Sequence, residues 1–168
     1  MSVLSWGKPR LFIQKIGDTS AKWKELPTPV EDSTQLATTK GDKVEAKVEG
    51  GENEDVRYGK NTYALAFNIR AAKGRKKPVP DSDGIIEGEY KVALQPEDPE
   101  APGLMIDKAK LSIEDTWTSA DGGMWNYTAD ALKPDAGDQV KWGKVVVSEE
   151  GAVTFTEDTE GVDGNTGQ

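Results

Sequence analysis

The chain has 168 residues, a formal net charge of −9, and neither cysteine nor histidine. These absences exclude disulfide bonds, Cys and His metal sites, and nucleophiles activated by an imidazole base. The length suits one domain, and 18 glycines, 9 prolines and short alternating runs of Thr, Val and Tyr favour β structure over long amphipathic helices.

The negative charge is concentrated near the C-terminus. Residues 149–168 carry six carboxylates and no Lys or Arg, which leaves a net charge of −3 for residues 1–148. Apart from one possible strand near residues 152–155, this segment is too polar to offset the entropy of ordering. We predict a single β-sandwich domain over residues 1–148 and an acidic, flexible tail over residues 149–168.

The N-terminal residues lack a basic stretch followed by a long apolar one, and no apolar run is long enough to span a bilayer. This pattern predicts a soluble protein that is made in the cytoplasm and has no membrane partner.

The first predicted strand, residues 10–16, has apolar side chains on both faces, so we expect it to be buried on both sides. A short edge strand over residues 22–26 ends at Pro27 and Pro29, because proline cannot donate to a ladder. Residues 31–39 form either a single helical turn or a loop.

The stretch from 39 to 70 has the clearest strand pattern. Residues 43–49 place Val44, Ala46 and Val48 on one face, and we expect that face to pack. Residues 62–70 place large apolar side chains on one face, which predicts a core strand. Glycines and an acidic run lie between the two segments, so we predict an antiparallel pair joined by a loop over residues 50–61. The polar face of the first strand alternates in sign: Lys43, Glu45, Lys47, Glu49.

A basic segment follows at residues 70–77. It indicates either a phosphate-binding or partner-docking patch or a solvated loop; the loop is favoured because no aromatic residues are interleaved for base stacking. Asp81-Ser82-Asp83-Gly84 resembles the start of a calcium loop but lacks the remaining ligands, so a turn or the N-cap of a short helix through Ile86 is favoured. The basic residues are Arg70, Lys73, Arg75, Lys76 and Lys77.

The C-terminal half contains further strands at residues 90–95, 105–115, 124–132 and 139–148. Asp121-Gly122 predicts a hairpin between the second and third of these. The phrase Trp142-Gly143-Lys144 echoes Trp6-Gly7-Lys8 but is too short to indicate a duplication. The whole pattern predicts a mostly β fold, a two-sheet sandwich or partly closed barrel of about seven or eight strands with one short helix.

The sequence contains none of the common catalytic or cofactor-binding motifs. It has no Gly-x-Ser-x-Gly, no glycine-rich phosphate loop and no clustered metal ligands. We therefore predict no catalytic residues, no cofactor, no metal and no enzymatic activity. Five tryptophans leave open a non-catalytic ligand- or carbohydrate-binding sandwich, with Trp23, Trp117 and Trp125 as candidate stacking residues or as ordinary packing residues.

Three phrases carry a resemblance to a known family. The chain resembles the major tail (tail tube) proteins of tailed bacteriophages, most closely those of phages and prophages of Bacteroides-type gut bacteria. The phrases are Trp6-Gly7-Lys8-Pro9-Arg10 at the opening of a strand, Thr28-Pro29-Val30-Glu31-Asp32-Ser33-Thr34, and the sequence TKGDKVEAKVEGGE over residues 39–52.

The resemblance implies a β-sandwich with a flanking helix that forms stacked hexameric rings in the virion tail. Its partners would be further copies of itself, other tail proteins, and DNA passing non-specifically through the lumen. Residues 43–49 would then be an assembly or lumen strand, and residues 70–77 an inter-subunit loop facing an acidic surface of the next ring. The balanced charge of the first segment differs from the acidic lining that a DNA conduit is expected to have.

Overall fold

The computed structural model describes residues 4–17 and 22–158. Within these residues the protein is mostly β, as predicted, and contains no helix. The strands are β1 Arg10–Lys15, β2 Lys24–Glu25, β3 Gln35–Thr39, β4 Lys43–Lys47, β5 Asn53–Tyr58, β6 Thr62–Arg70, β7 Tyr90–Gln95, β8 Gly103–Thr118, β9 Gly122–Ala131, β10 Lys141–Val147 and β11 Val153–Glu157.

The prediction of a short helix is wrong, and tight turns stand at both of its candidate positions. At the first, the Ser33 amide donates to the Val30 carbonyl at 3.1 Å, and Asp32 has a φ of 59°. At the second, Ser82 and Ile85 form an isolated antiparallel bridge, and Asp83 has a φ of 49°. A helix cannot continue through a residue in the left-handed region, so each turn stays single.

Nine strands form one antiparallel sheet in the order β2-β1-β7-β8-β9-β6-β3, and β10 and β11 branch from β8. The long strand β8 pairs with β10 at Gly103–Met105 and with β9 from Ala109 onwards. No barrel closes within the described residues. Instead, the connection from β2 to β3 is hydrogen-bonded to strands near both edges of the sheet. The Leu26 amide donates to the Leu11 carbonyl of β1, and the Val30 amide donates to the Asn68 carbonyl of β6, each at 2.8 Å.

The main core lies on one face of this sheet. Phe67 and Tyr127 stack there with ring centroids 5.5 Å apart, and the Tyr127 hydroxyl donates to the Val79 carbonyl at 2.9 Å. The predicted core face of residues 62–70 is confirmed, since Leu65, Phe67 and Ile69 are buried. The other buried members of this core are Leu11, Ile13, Leu26, Val79, Ile86, Val92, Leu104, Ile106, Ala109, Leu111, Tyr127, Ala129 and Val140.

A smaller apolar cluster covers the opposite face of β1, β7 and β8. Phe12 points into it, while its neighbours Leu11 and Ile13 point into the main core. The prediction that the first strand is buried on both sides is therefore confirmed. The cluster is closed by β10 and β11, and its members are Phe12, Ala93, Met105 and Val145 with Trp23, Val147, Val153 and Phe155 packed against them.

Strand β11 lies within the segment that the sequence assigns to the tail. It pairs with β10 along its whole length, from Val147↔Val153 to Gly143↔Glu157. Residues 159–168, the rest of the predicted tail, lie outside the described residues.

Two predicted strand pairings have opposite outcomes. The hairpin across Asp121-Gly122 is confirmed: β8 and β9 pair from Ala109↔Ala131 to Thr118↔Gly122, and Gly122 has a φ of 75°. The pairing of residues 43–49 with residues 62–70 is wrong. β4 pairs with β5, while β6 lies between β3 and β9.

Candidate assembly surfaces and an aromatic cleft

The strands β4 and β5 form a two-stranded sheet of their own, which we call the arm. Positive φ values at Gly50 and Gly51 turn the chain at its end. The register shifts after Ala46, because Ala46 pairs with Asp55 and Lys47 pairs with Asn53, so Glu54 is left as a bulge. The predicted loop over residues 50–61 is therefore largely a strand.

The arm is almost entirely exposed, which overturns the expectation that one face of residues 43–49 packs. Val44 is 61% exposed, Val48 43% and Tyr58 69%. The cross-strand partners explain this result. Val44 faces Arg57, and residues that lie opposite each other share a face of the sheet. Neither face of the arm is apolar throughout, although β4 alone has the pattern of a half-buried strand.

The predicted assembly or lumen residues Lys43, Glu45, Lys47 and Glu49 lie on this exposed arm. The Glu45 carboxylate accepts from both neighbouring lysines, at 2.8 Å from Lys43 Nζ and 3.4 Å from Lys47 Nζ. The alternation of sign therefore neutralises most of this face locally. Such exposed pairs contribute little to stability.

The base of the arm is tied to the body by a few hydrogen bonds. The Gly59 amide donates to the Asp42 carbonyl at 2.7 Å, and the Gly41 amide donates to Asn61 Oδ1 at 3.2 Å. Gln139 Nε2 reaches the Asn61 carbonyl at 3.4 Å. A Cβ at Gly41 would collide with the Gly59 carbonyl group, so the two chains cross closely at this point.

The basic segment, residues 70–77, turns at the opposite end of β6 from the arm. Its backbone is held at several points: the Ala71 amide donates to the Gly123 carbonyl at 2.9 Å, and Arg75 Nη1 donates to the Arg70 carbonyl at 2.8 Å. Arg70 Nη1 donates to the Asp121 carbonyl at 2.9 Å. Four of the predicted inter-subunit residues are exposed: Arg70, Lys73, Arg75 and Lys76.

Lys77, the fifth predicted residue, is engaged inside the molecule. Its Nζ lies 2.8 Å from Asp81 Oδ1 and 3.0 Å from Asp115 Oδ2. The hydrogen bond from Lys77, followed by the one from the Gly84 amide, lowers the pKa of Asp81. The segment that resembles the start of a calcium loop therefore holds a lysine ammonium. Within the described ranges no three acidic side chains are grouped so as to hold a metal.

A cleft of about 720 Å³ lies where the N-terminal segment meets the β2–β3 connection. Trp6 and Trp142 line it with exposed fractions of 71% and 51%. The N-terminal segment is held against the body because the Trp6 carbonyl accepts from the Glu97 amide at 3.3 Å. Glu31 and Asp32 also line the cleft. The cleft therefore combines two accessible indole rings with carboxylate groups.

The three tryptophans that the sequence suggested for sugar stacking do not form one site, although Trp117 and Trp125 are diagonal neighbours on one face of the β8–β9 hairpin. Trp23 packs on the smaller cluster and Trp125 on the main core, whereas Trp117 is 74% exposed. The cleft uses Trp6 and Trp142 instead. The only sequence signal for that pair is the echoed phrase Trp-Gly-Lys, whose two copies begin at these residues.

Comparison with protein-family models gives no match, and comparison with curated protein sequences gives none either. The tail tube resemblance therefore rests on the three sequence phrases. No helix of the described residues is long and apolar enough to cross a membrane.

Proposed function

We propose that this protein is a non-enzymatic structural subunit that assembles with copies of itself. The observation that carries the proposal is the arm. It exposes Val44, Val48 and Tyr58, and among the described residues its two strands pair with no strand of the main sheet. An isolated two-stranded hairpin is marginally stable in water, so a surface on another molecule that covers the arm would stabilise it.

The main sheet offers a second reason for assembly. In the described part of the chain, β3 pairs only with β6 and β11 pairs only with β10, so each has an open edge. Open edges are templates for pairing with another chain. In a symmetric homo-oligomer, neighbouring copies cover such edges and protect the protein from uncontrolled aggregation.

The form of the assembly follows from the resemblance to tail tube proteins. We propose stacked hexameric rings in a phage virion tail, built from a tail-tube-like β-sandwich made in the host cytoplasm. Other tail proteins would join at its ends, and DNA would pass non-specifically through the lumen. The three sequence phrases, the β-rich fold and the uncovered arm support this proposal.

Light scattering after size exclusion, with electron microscopy of concentrated protein, tests the proposal. The critical variant replaces residues 43–58 with two glycines, because Asp42 and Gly59 are already hydrogen-bonded across the base of the arm. We expect the wild-type protein to form rings or tubes and the armless variant to fold but stay monomeric.

A matched pair of single substitutions serves as a control. Val44→Ser on the arm should weaken assembly, whereas Val146→Ser, at an exposed valine of β10, should not. A wild-type protein that stays monomeric at every concentration, even with tail partners present, contradicts the proposal.

The cleft favours a second candidate, a non-catalytic carbohydrate-binding protein. Exposed indole rings stack on sugar faces, and carboxylates such as Glu31 accept hydrogen bonds from hydroxyls. We expect neutral oligosaccharides to change the tryptophan fluorescence of the wild type but not of Trp6→Ala or Trp142→Ala. Trp117→Ala is the control, since this exposed tryptophan lies outside the cleft. The absence of any response across a sugar panel rejects this candidate.

A further inference from the structure

Two surfaces of opposite charge lie at opposite ends of β6. The first, which we call the acidic tip, is the segment 49–55. It has four exposed carboxylates and no basic residue of its own, and Lys47 and Arg57 flank it. The carboxylates are Glu49, Glu52, Glu54 and Asp55. The second, which we call the basic loop, is the segment 70–76. It has four exposed cations and no carboxylate of its own, and the exposed Asp121 lies beside it. The cations are Arg70, Lys73, Arg75 and Lys76. Each surface is formed by one short segment, so its charges are close together.

Almost all charges of these two surfaces are unpaired within the described residues, whereas some charges of the body form ion pairs. On the body, Arg10 pairs with Glu25 at 2.8 Å, and Lys144 with Glu100 at 2.9 Å. Among the described residues, the four cations of the basic loop form no ion pair. Three of the four carboxylates of the acidic tip form none either, and Asp55 has only a 3.8 Å contact with Arg57.

The geometry prevents the acidic tip from reaching the basic loop of the same molecule. The nine residues of β6 place its two ends about 27 Å apart. The arm starts at the Thr39–Thr62 end and is exposed along its length, so it does not fold back along the sheet. Like charges held together in each surface repel, and a second molecule can relieve both repulsions at once.

We propose that the acidic tip of one copy binds the basic loop of another copy, so that copies join head to tail through this contact. The inference rests on the proposed function, because it names the surfaces through which the subunits stack. A contact between two different surfaces of one protein is heterologous, and such contacts build rings or open stacks. The hydrogen bonds that hold residues 70–77 fix the basic loop before binding.

Charge reversal tests the contact directly. One variant carries Glu49→Lys, Glu52→Lys and Glu54→Lys, and the other carries Lys73→Glu, Arg75→Glu and Lys76→Glu. Alone, each variant sets like charges against each other, and we expect the concentration needed for stacking to rise on the order of tenfold or more. A variant that carries all six changes restores opposite charges and should stack like the wild type.

Mixing the two triple variants gives an independent result. The tip of the first is then complementary to the loop of the second, and the tip of the second to the loop of the first. We expect the mixture to co-assemble in alternation at concentrations at which neither variant stacks alone. Stacking of the wild type should also weaken as salt rises, because exposed charges are screened.

The controls separate this inference from the proposed function. A control variant makes the same charge change at exposed positions elsewhere and should leave stacking unchanged. It combines Lys22→Glu, Lys110→Glu and Lys133→Glu. Circular dichroism and thermal melting confirm that each variant is folded.

Three results overturn the inference. If both triple variants stack like the wild type, the acidic tip and the basic loop do not bind each other, and the proposed self-assembly must use other surfaces. If a folded six-fold variant and the mixture both fail to stack, charge pairing is not the cause. If reversal of the basic loop removes binding to duplex DNA but leaves stacking unchanged, the loop contacts nucleic acid. A wild-type protein that never assembles instead refutes the proposed function as well.

Discussion

The body and the arm of this protein are built from strands of similar sequence pattern but have opposite environments. In β6, Leu65, Phe67 and Ile69 alternate with smaller residues and are buried. In β4, Val44 and Ala46 alternate with charged residues and are exposed. β6 lies between two strands of a large sheet, whereas β4 has only β5 beside it.

The difference shows that an alternating pattern needs a matching neighbour before it becomes a buried face. The neighbour β9 sets Tyr127 beside Phe67, so two apolar residues share a face. The neighbour β5 sets Arg57 beside Val44, so charge and apolar surface share a face. The body therefore buries its strands within one molecule, whereas the arm does not.

The largest expected effect comes from making one substitution in both regions. Val92→Ala, at a core residue that is 1% exposed, should lower the free energy of unfolding by about 2–4 kcal/mol, because it removes buried methyl groups and leaves a cavity. Val44→Ala on the arm should change it by no more than about 0.5 kcal/mol. Urea unfolding measures both, and similar losses would mean that the arm is part of the cooperative fold.

A smaller effect is expected where β11 joins the body. Gly143 faces Glu157, and a Cβ on Gly143 would lie 2.8 Å from the Glu157 Cα and collide with the Thr156 carbonyl oxygen. Gly143→Ala should therefore push β11 away from β10 and cost about 1–3 kcal/mol. Hydrogen exchange should then accelerate in residues 153–157 but not in β6. Unchanged protection of β11 would show that this segment adapts without separating.

The smallest effect concerns the ion pair that holds the end of the basic segment. Lys77 keeps the pKa of Asp81 below its ordinary value of 3.8 in the folded protein. The ion pair therefore stabilises the fold at pH values above 3.8, and this contribution is lost as pH falls through the lowered pKa. Asp81→Asn should therefore lower the melting temperature at neutral pH and reduce its further fall below about pH 4.

The matched control for this pH effect is Asp135→Asn. Asp135 is exposed and lacks an ion pair among the described residues. The Asp135→Asn substitution should leave the pH dependence of the melting temperature as it is in the wild type. Equal slopes for wild type and Asp81→Asn would contradict the role of Lys77.

Much of the body follows from local sequence. The apolar residues on both faces of β1 predicted its double burial, and Asp121-Gly122 predicted the β8–β9 hairpin because both features act over a few residues. The helix prediction failed because the same residue types also favour single tight turns. Such turns form at Asp32 and Asp83, whose positive φ values prevent a helix from continuing.

By itself, the sequence determined the β class, the positions of most strands in the body and the exposed charge of residues 43–49 and 70–76. These depend on periodicity and on turn residues, which act locally. The sequence missed β3, because residues 31–39 were predicted as a helical turn or a loop. Only the tertiary structure decided that β4 pairs with β5, that Trp6 and Trp142 share a cleft, and that the arm stands apart from the main sheet. Strand partners are chosen through contacts between residues distant in sequence, and a local pattern assigns faces to a strand without naming the strand beside it.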